Sequence, residues 1–66
     1  MDSNTPLRIF KPYADKAGNW RWRCKARNGR TVSVSGESFD SQRNAVRAAT
    51  NEALLYPAGV AVVKAL

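Results

Sequence analysis

Apolar and basic residues alternate for eight positions in the middle of the chain, from Trp20 to Arg27. A period of two is typical of a β-strand with one buried face. Asn28 and Gly29 follow directly and favour a two-residue hairpin turn, in which both residues adopt positive φ. Residues 30–35 alternate again. The pattern therefore predicts a β-hairpin over residues 20–35.

One further strand is predicted on each side of this hairpin. Residues 7–13 form the first, and Pro12 within it cannot donate a ladder hydrogen bond, which indicates an edge position or a bulge. Residues 59–66 are apolar and rich in valine, and they form the last strand because Pro57 and Gly59 end the preceding helix near Tyr56.

A helix is predicted between the hairpin and the last strand. Asp40 or Ser41 can cap its N-terminus by accepting hydrogen bonds from free backbone N–H groups. Apolar residues then recur at helical spacing and form one stripe. They are Val46, Ala49, Ala53 and Tyr56, widened by Leu54 and Leu55.

The order β-β-β-α-β predicts an α+β fold, in which an antiparallel sheet of three to four strands packs on one helix. Residues 1–6 are expected to be a disordered N-terminal lead, and residues 7–66 a single domain. The tryptophan face of the hairpin should meet the helix stripe, since it carries the largest apolar side chains. The predicted core consists of Trp20, Trp22, Val32, Val34, Phe39, Val46, Ala49 and Ala53.

The opposite face of the hairpin is predicted to be strongly basic. It would carry Arg21, Arg23, Lys25 and Arg27 beside Thr31, Ser33 and Ser35. The whole chain has eleven Lys and Arg against five Asp and Glu, a net charge of +6, which raises nucleic acid as a partner. Three interpretations stay open: a solvated sheet face, a phosphate-binding face, or a contact for an acidic protein surface.

Catalytic and metal-binding chemistry is not expected. The chain has no histidine and one cysteine, so Cys24 lacks a base, and on the tryptophan face it should be a buried, inert thiol. The acids come singly, and neither a metal ligand set nor a cofactor motif is present. We expect a non-enzymatic protein without metal or cofactor and infer no small-molecule substrate.

A chain of 66 residues buries only about 60% of its unfolded surface. It cannot form an internal disulfide, so a homodimer is the remaining way to gain stability. The valines of the last strand are the candidate dimer strand: Val60, Val62 and Val63. Without an apolar stretch of about 20 residues we expect no membrane insertion, and a free cysteine fits a reducing cytoplasm.

Several segments resemble one known family. The Trp20-Arg-Trp-Arg23 run is preceded by Phe10, Tyr13, Asp15 and Ala17-Gly18, and it is followed by Lys25-Ala26 and Asn28-Gly29. Residues 35–39 read Ser-Gly-Glu-Ser-Phe, and a helix of small residues follows over residues 41–56. This pattern resembles the YegP-like family of small domains of unknown function. Pro12 departs from it, because the family usually has an aliphatic strand residue there.

The resemblance implies an antiparallel sheet packed on one helix. Family members often carry two copies in tandem, so it also implies that a single-copy chain forms a homodimer, which would complete the sheet. It supplies no reaction, cofactor or ligand. The sequence therefore predicts a small basic interaction module, with two alternatives: nucleic-acid binding through the basic hairpin face, or inhibition of a host protein or complex.

Overall fold

The computed structural model describes residues 7–64. The expected disordered lead, residues 1–6, and the last two residues of the predicted final strand lie outside them. The fold is α+β, and its elements follow the predicted order. They are β1 (Arg8–Ala14), β2 (Trp20–Ala26), β3 (Thr31–Val34), α1 (Gln42–Ala53) and β4 (Ala61–Val63).

The four strands form one sheet in the order β3-β2-β1-β4. β1 pairs antiparallel with β2, and β2 pairs antiparallel with β3. β4 pairs parallel with β1, so the sheet is mixed and the prediction of a purely antiparallel sheet is wrong in this one pairing. Parallel pairing becomes possible because the helix carries the chain back across the sheet before β4 begins.

Pro12 lies in a central strand, so the predicted edge position of its strand is wrong. Pro12 still has no N–H to donate to a neighbouring strand, but its position in the sheet does not require one. The backbone of Trp22, which is opposite Pro12, faces β3: Ser35 N–H donates to the Trp22 carbonyl over 2.8 Å. The Pro12 nitrogen therefore faces away from β2, towards β4, and β4 pairs with β1 only as far as Phe10. A missing N–H costs no ladder hydrogen bond there.

The hairpin turn differs from the predicted two-residue turn. Gly29 N–H donates to the Ala26 carbonyl over 2.9 Å, and Ala26 N–H donates to the Arg30 carbonyl over 2.8 Å. Among residues 7–64 only glycines have positive φ, and Gly29 is one of them at 90°. The loop is thus a three-residue turn in which only Gly29 needs the left-handed region.

A β-bulge follows this turn. Lys25 pairs with Thr31 but Cys24 pairs with Ser33, so Val32 is the extra residue. Arg23 then lies opposite Val34, which places Val34 on the side of the sheet away from the helix. Val32 and Val34 are 48% and 54% exposed, so the prediction that they belong to the core is wrong.

Helix α1 packs on β1, β2 and β4 and leaves β3 uncovered. Its N-cap is Ser41, whose hydroxyl accepts from Asn44 N–H over 3.2 Å, so one of the two predicted caps is the one used. The helix ends at Ala53, three residues before the predicted end. Leu54 and Leu55 are 75% and 78% exposed and do not widen the buried stripe.

The core lies between the helix and the facing side of β1 and β2. The helix contributes small residues such as Ala49 to the core, which leaves room for the large side chains of the sheet. The Phe10 and Trp22 rings meet edge to face with their centroids 5.1 Å apart. Trp20 and Val46 are half-buried. The buried cluster is Phe10, Trp22, Cys24 and Ala49, with Phe39, Ala48, Ala53, Ala61 and Val63 packed against it.

Candidate functional site

The side of the sheet that the helix does not cover is called the open face here. It carries every second residue of β1 and β2, on the side opposite Phe10 and Trp22. Cross-strand pairing aligns these residues in rows. The pairs are Ile9 with Lys25, Lys11 with Arg23, and Tyr13 with Arg21; Val34, Thr31 and Val62 extend the rows onto β3 and β4.

Four cations share the open face: Lys11, Arg21, Arg23 and Lys25. Lys11 is exposed, and the other three are half-buried. Lys11 lies directly opposite Arg23, and like charges in that position destabilise a sheet. Residues two apart on one strand are also only about 7 Å apart, within the screening length of physiological salt. A bound polyanion would relieve this repulsion.

An aromatic ring fixes one of these cations. The Arg23 guanidinium lies over the Tyr13 ring, 4.0 Å from its centroid. The two residues are diagonal neighbours on adjacent strands, a spacing that long side chains can bridge. The attraction between a cation and the ring face holds the guanidinium in place, so an Arg–Tyr pair is presented on the open face.

A second cation is held by an acid at the rim of the face. Arg21 Nε donates to Asp15 Oδ2 over 2.9 Å. The other oxygen of Asp15 accepts from Ala17 N–H and Asn19 N–H and so closes the β1–β2 turn. The hydrogen bond from Arg21, with these backbone bonds, holds the pKa of Asp15 below its ordinary value of 3.8. Asp15 therefore stays ionised and orients Arg21.

Apolar side chains lie among the cations. Ile9 is half-buried, Val34 is 54% exposed and Val62 is 36% exposed. Val34 on the edge strand β3 lies beside Arg23, and Val62 on the opposite edge strand β4 lies beside Ile9. The open face is consequently a mixed surface, with apolar and basic side chains adjacent in each row.

The predicted basic set is only partly brought together. Arg21, Arg23 and Lys25 share the open face, but Arg27 lies in the turn after β2. Lys11 and Tyr13 belong to the site and were not among the predicted site residues. The signal was available, because Ile9, Lys11 and Tyr13 alternate with Phe10 and Pro12.

Other chemistry-bearing residues lie on the helix side. Cys24 is fully buried. Glu37 and Glu52 line a groove of about 520 Å³ beside Trp22 and Phe39. Within residues 7–64 no group of three or more His, Cys, Asp or Glu side chains is placed to hold a metal ion. The helical structure in that part of the chain also lacks the length and apolarity that crossing a bilayer requires.

A second exposed surface is apolar. Leu54, Leu55 and Tyr56 follow the end of α1 and are 75%, 78% and 36% exposed. Beside them, a groove of about 330 Å³ runs from Ala53 to Val63. Of the predicted dimer strand, Val62 is exposed on the open face, while Val60 is half-buried and Val63 packs against the core. We call Leu54, Leu55 and Tyr56 the apolar patch.

Comparison with known protein families gives a match. The model of a family described as "Domain of unknown function (DUF1508)" matches residues 15–51, more than half of the 66-residue chain. The matched segment holds β2, β3 and most of α1, and with them Arg21, Arg23 and Lys25. No curated protein and no solved structure matches.

Proposed function

The chain belongs to the family described as a domain of unknown function (DUF1508), and we propose that it is a non-enzymatic module that binds nucleic acid on its open face. The observation that carries the proposal is the row arrangement of that face. Four cations and one tyrosine lie on the uncovered side of a four-stranded sheet, where an extended polyanion could contact several of them at once.

The distribution of acids supports the same proposal. Asp15 is at the rim of the open face, and its charge is matched by Arg21. Glu37 and Glu52 lie on the helix side of the sheet. Lys11, Arg23 and Lys25 therefore keep their positive charge on the open face, and a phosphate backbone approaching it meets a positive potential.

Fluorescence anisotropy of a labelled 20-nucleotide strand tests the proposal. Each cation that neutralises a phosphate releases a counterion, so the logarithm of the affinity falls linearly with the logarithm of salt concentration. Three to four contacts correspond to a slope of about −2 to −3 for a single strand. Absence of any anisotropy change at 20 mM salt and 50 µM protein, for both single-stranded and duplex probes, contradicts the proposal.

A homodimer is the second function that we propose, and the apolar patch supports it. Two leucines are more than 70% exposed next to a groove that reaches the edge strand β4, and exposed apolar side chains that cluster in this way mark protein–protein contacts. The patch lies at the end of α1, beside a groove that reaches β4, so a partner copy seated there would leave most of the open face accessible.

Sedimentation velocity between 5 and 200 µM tests the dimer. We expect the wild type to sediment as a dimer and the Leu54→Gln, Leu55→Gln double variant as a monomer, because both leucines are exposed and their removal leaves the core intact. Arg43→Gln on the outer face of α1 is the control and should remain dimeric. A wild type that is monomeric at 200 µM contradicts this proposal without affecting the first.

A further inference from the structure

We propose that the ligand of the open face is single-stranded nucleic acid and that one of its bases stacks on the Arg23–Tyr13 pair. This inference rests on the proposed nucleic-acid function and deepens it. It is carried by three features of the open face: the stacked pair, the apolar side chains among the cations, and the width of the sheet.

The Arg23–Tyr13 pair has the form of a stacking platform. The Arg23 Cζ lies over the Tyr13 ring, 4.0 Å from its centroid, so the cation and the aromatic ring are held next to each other on one face of the sheet. Bases of single strands stack on aromatic rings and on arginine planes. Because Tyr13 already holds the guanidinium in place, little side-chain freedom is lost when a base arrives.

The apolar residues discriminate between single strands and duplexes. A duplex presents phosphates and sugars on its outside, and Ile9, Val34 and Val62 would gain nothing from contact with them. A single strand exposes base faces together with phosphates. In the row of Val34, Arg23 and Lys11, and in the row of Lys25, Ile9 and Val62, apolar and basic side chains are neighbours, so each row can contact both parts of a nucleotide.

The width of the sheet leads to the same conclusion. Strands are about 4.8 Å apart, so four strands span roughly 14 Å between the outer two. The major groove is about 12 Å wide and admits a helix or a two-stranded ribbon. The open face therefore does not fit into the major groove of an undistorted duplex and would lie across its phosphates, where the bases cannot be reached. A single strand can lie along the face with its bases turned towards it.

The test compares three probes: a 12-nucleotide single strand, the duplex of the same sequence, and a heparin oligosaccharide of similar charge. Wild type should bind the single strand at least 10-fold more tightly than the duplex at equal salt. Tyr13→Ala should weaken single-strand binding about 5- to 150-fold and leave heparin binding within about twofold. Tyr13→Phe keeps the ring and should bind as wild type does.

Tyr13→Leu is the second variant, in case Tyr13→Ala melts below the assay temperature. It keeps apolar volume in the sheet without an aromatic face, so it should lose single-strand affinity as the alanine variant does. Equal binding of duplex and single strand overturns the inference, and so does unchanged single-strand affinity in Tyr13→Leu; both leave the proposed nucleic-acid function standing. Failure to bind either nucleic acid removes the proposed function and this inference together.

Discussion

Trp22→Ala is expected to leave the domain largely unfolded at 37 °C. The indole is 7% exposed and packs edge to face on Phe10, and α1 offers only small side chains to fill the space that it would leave. Truncating a buried tryptophan costs about 3–5 kcal/mol. A 66-residue domain has a total stability of about 3–10 kcal/mol. Thermal unfolding followed by far-UV circular dichroism should show a midpoint lower by at least 10 °C.

Val34→Ala is the control for this experiment. The sequence pattern placed Val34 in the same core as Trp22, but in the fold its side chain is 54% exposed, opposite Arg23. Its truncation should change the free energy of unfolding by less than about 0.5 kcal/mol. A loss comparable with that of Trp22→Ala would mean that β3 turns its valines to the helix, and the register described above would be wrong.

The sequence pattern assigned Val34 to the wrong face of the sheet. Alternation within β3 does not show which residues of β2 lie opposite it, and that pairing decides which face Val34 shares. A two-residue turn at Asn28 and Gly29 puts residue 27 opposite 30 and hence 23 opposite 34. The predicted turn therefore already implied that Val34 shares a face with Arg23. The actual three-residue loop shifts this register by one position, and the bulge at Val32 shifts it back. The three-residue loop and the bulge thus cancel, so that beyond the bulge each residue has the same partner that a two-residue turn would give it.

The elements themselves follow from local chemistry and could be predicted. Alternation identified β2, and Ser41 supplied a cap for α1 because its hydroxyl reaches the N–H three residues on. The parallel pairing of β4 with β1 could not be read locally, since it joins segments about 50 residues apart through the packing of the helix between them. The same limit explains why β1 was expected at an edge.

The site was predicted in one strand and missed in its neighbour. Arg21, Arg23 and Lys25 were recognised because β2 alternates without interruption. Lys11 and Tyr13 alternate as well, but Pro12 between them interrupts the pattern, because a proline is unusual in a paired strand. The stacking of Arg23 on Tyr13 depends on the diagonal register between two strands, which no single segment contains. It also supplies the aromatic side chain that the hairpin alone lacked on its basic face.

The Arg23→Gln, Lys25→Gln double variant is expected to lose most nucleic-acid binding while staying folded. Both side chains lie on the open face of β2, away from the Phe10–Trp22 core. At about 1 kcal/mol for each charged contact, their removal should weaken affinity about 30-fold at low salt. The slope of log affinity against log salt should also become shallower by about 1.4, because two fewer counterions are released.

Arg43→Gln, Arg47→Gln is the matched control, since it removes the same two charges from exposed positions on the outer face of α1. If net charge alone attracts the ligand, the two double variants should weaken binding equally. If the open face is the site, the helix variant should stay within about threefold of wild type and keep its salt slope, because charges beyond the screening length contribute little. Equal losses in the two variants would therefore remove the open face as a site, even if the protein binds nucleic acid.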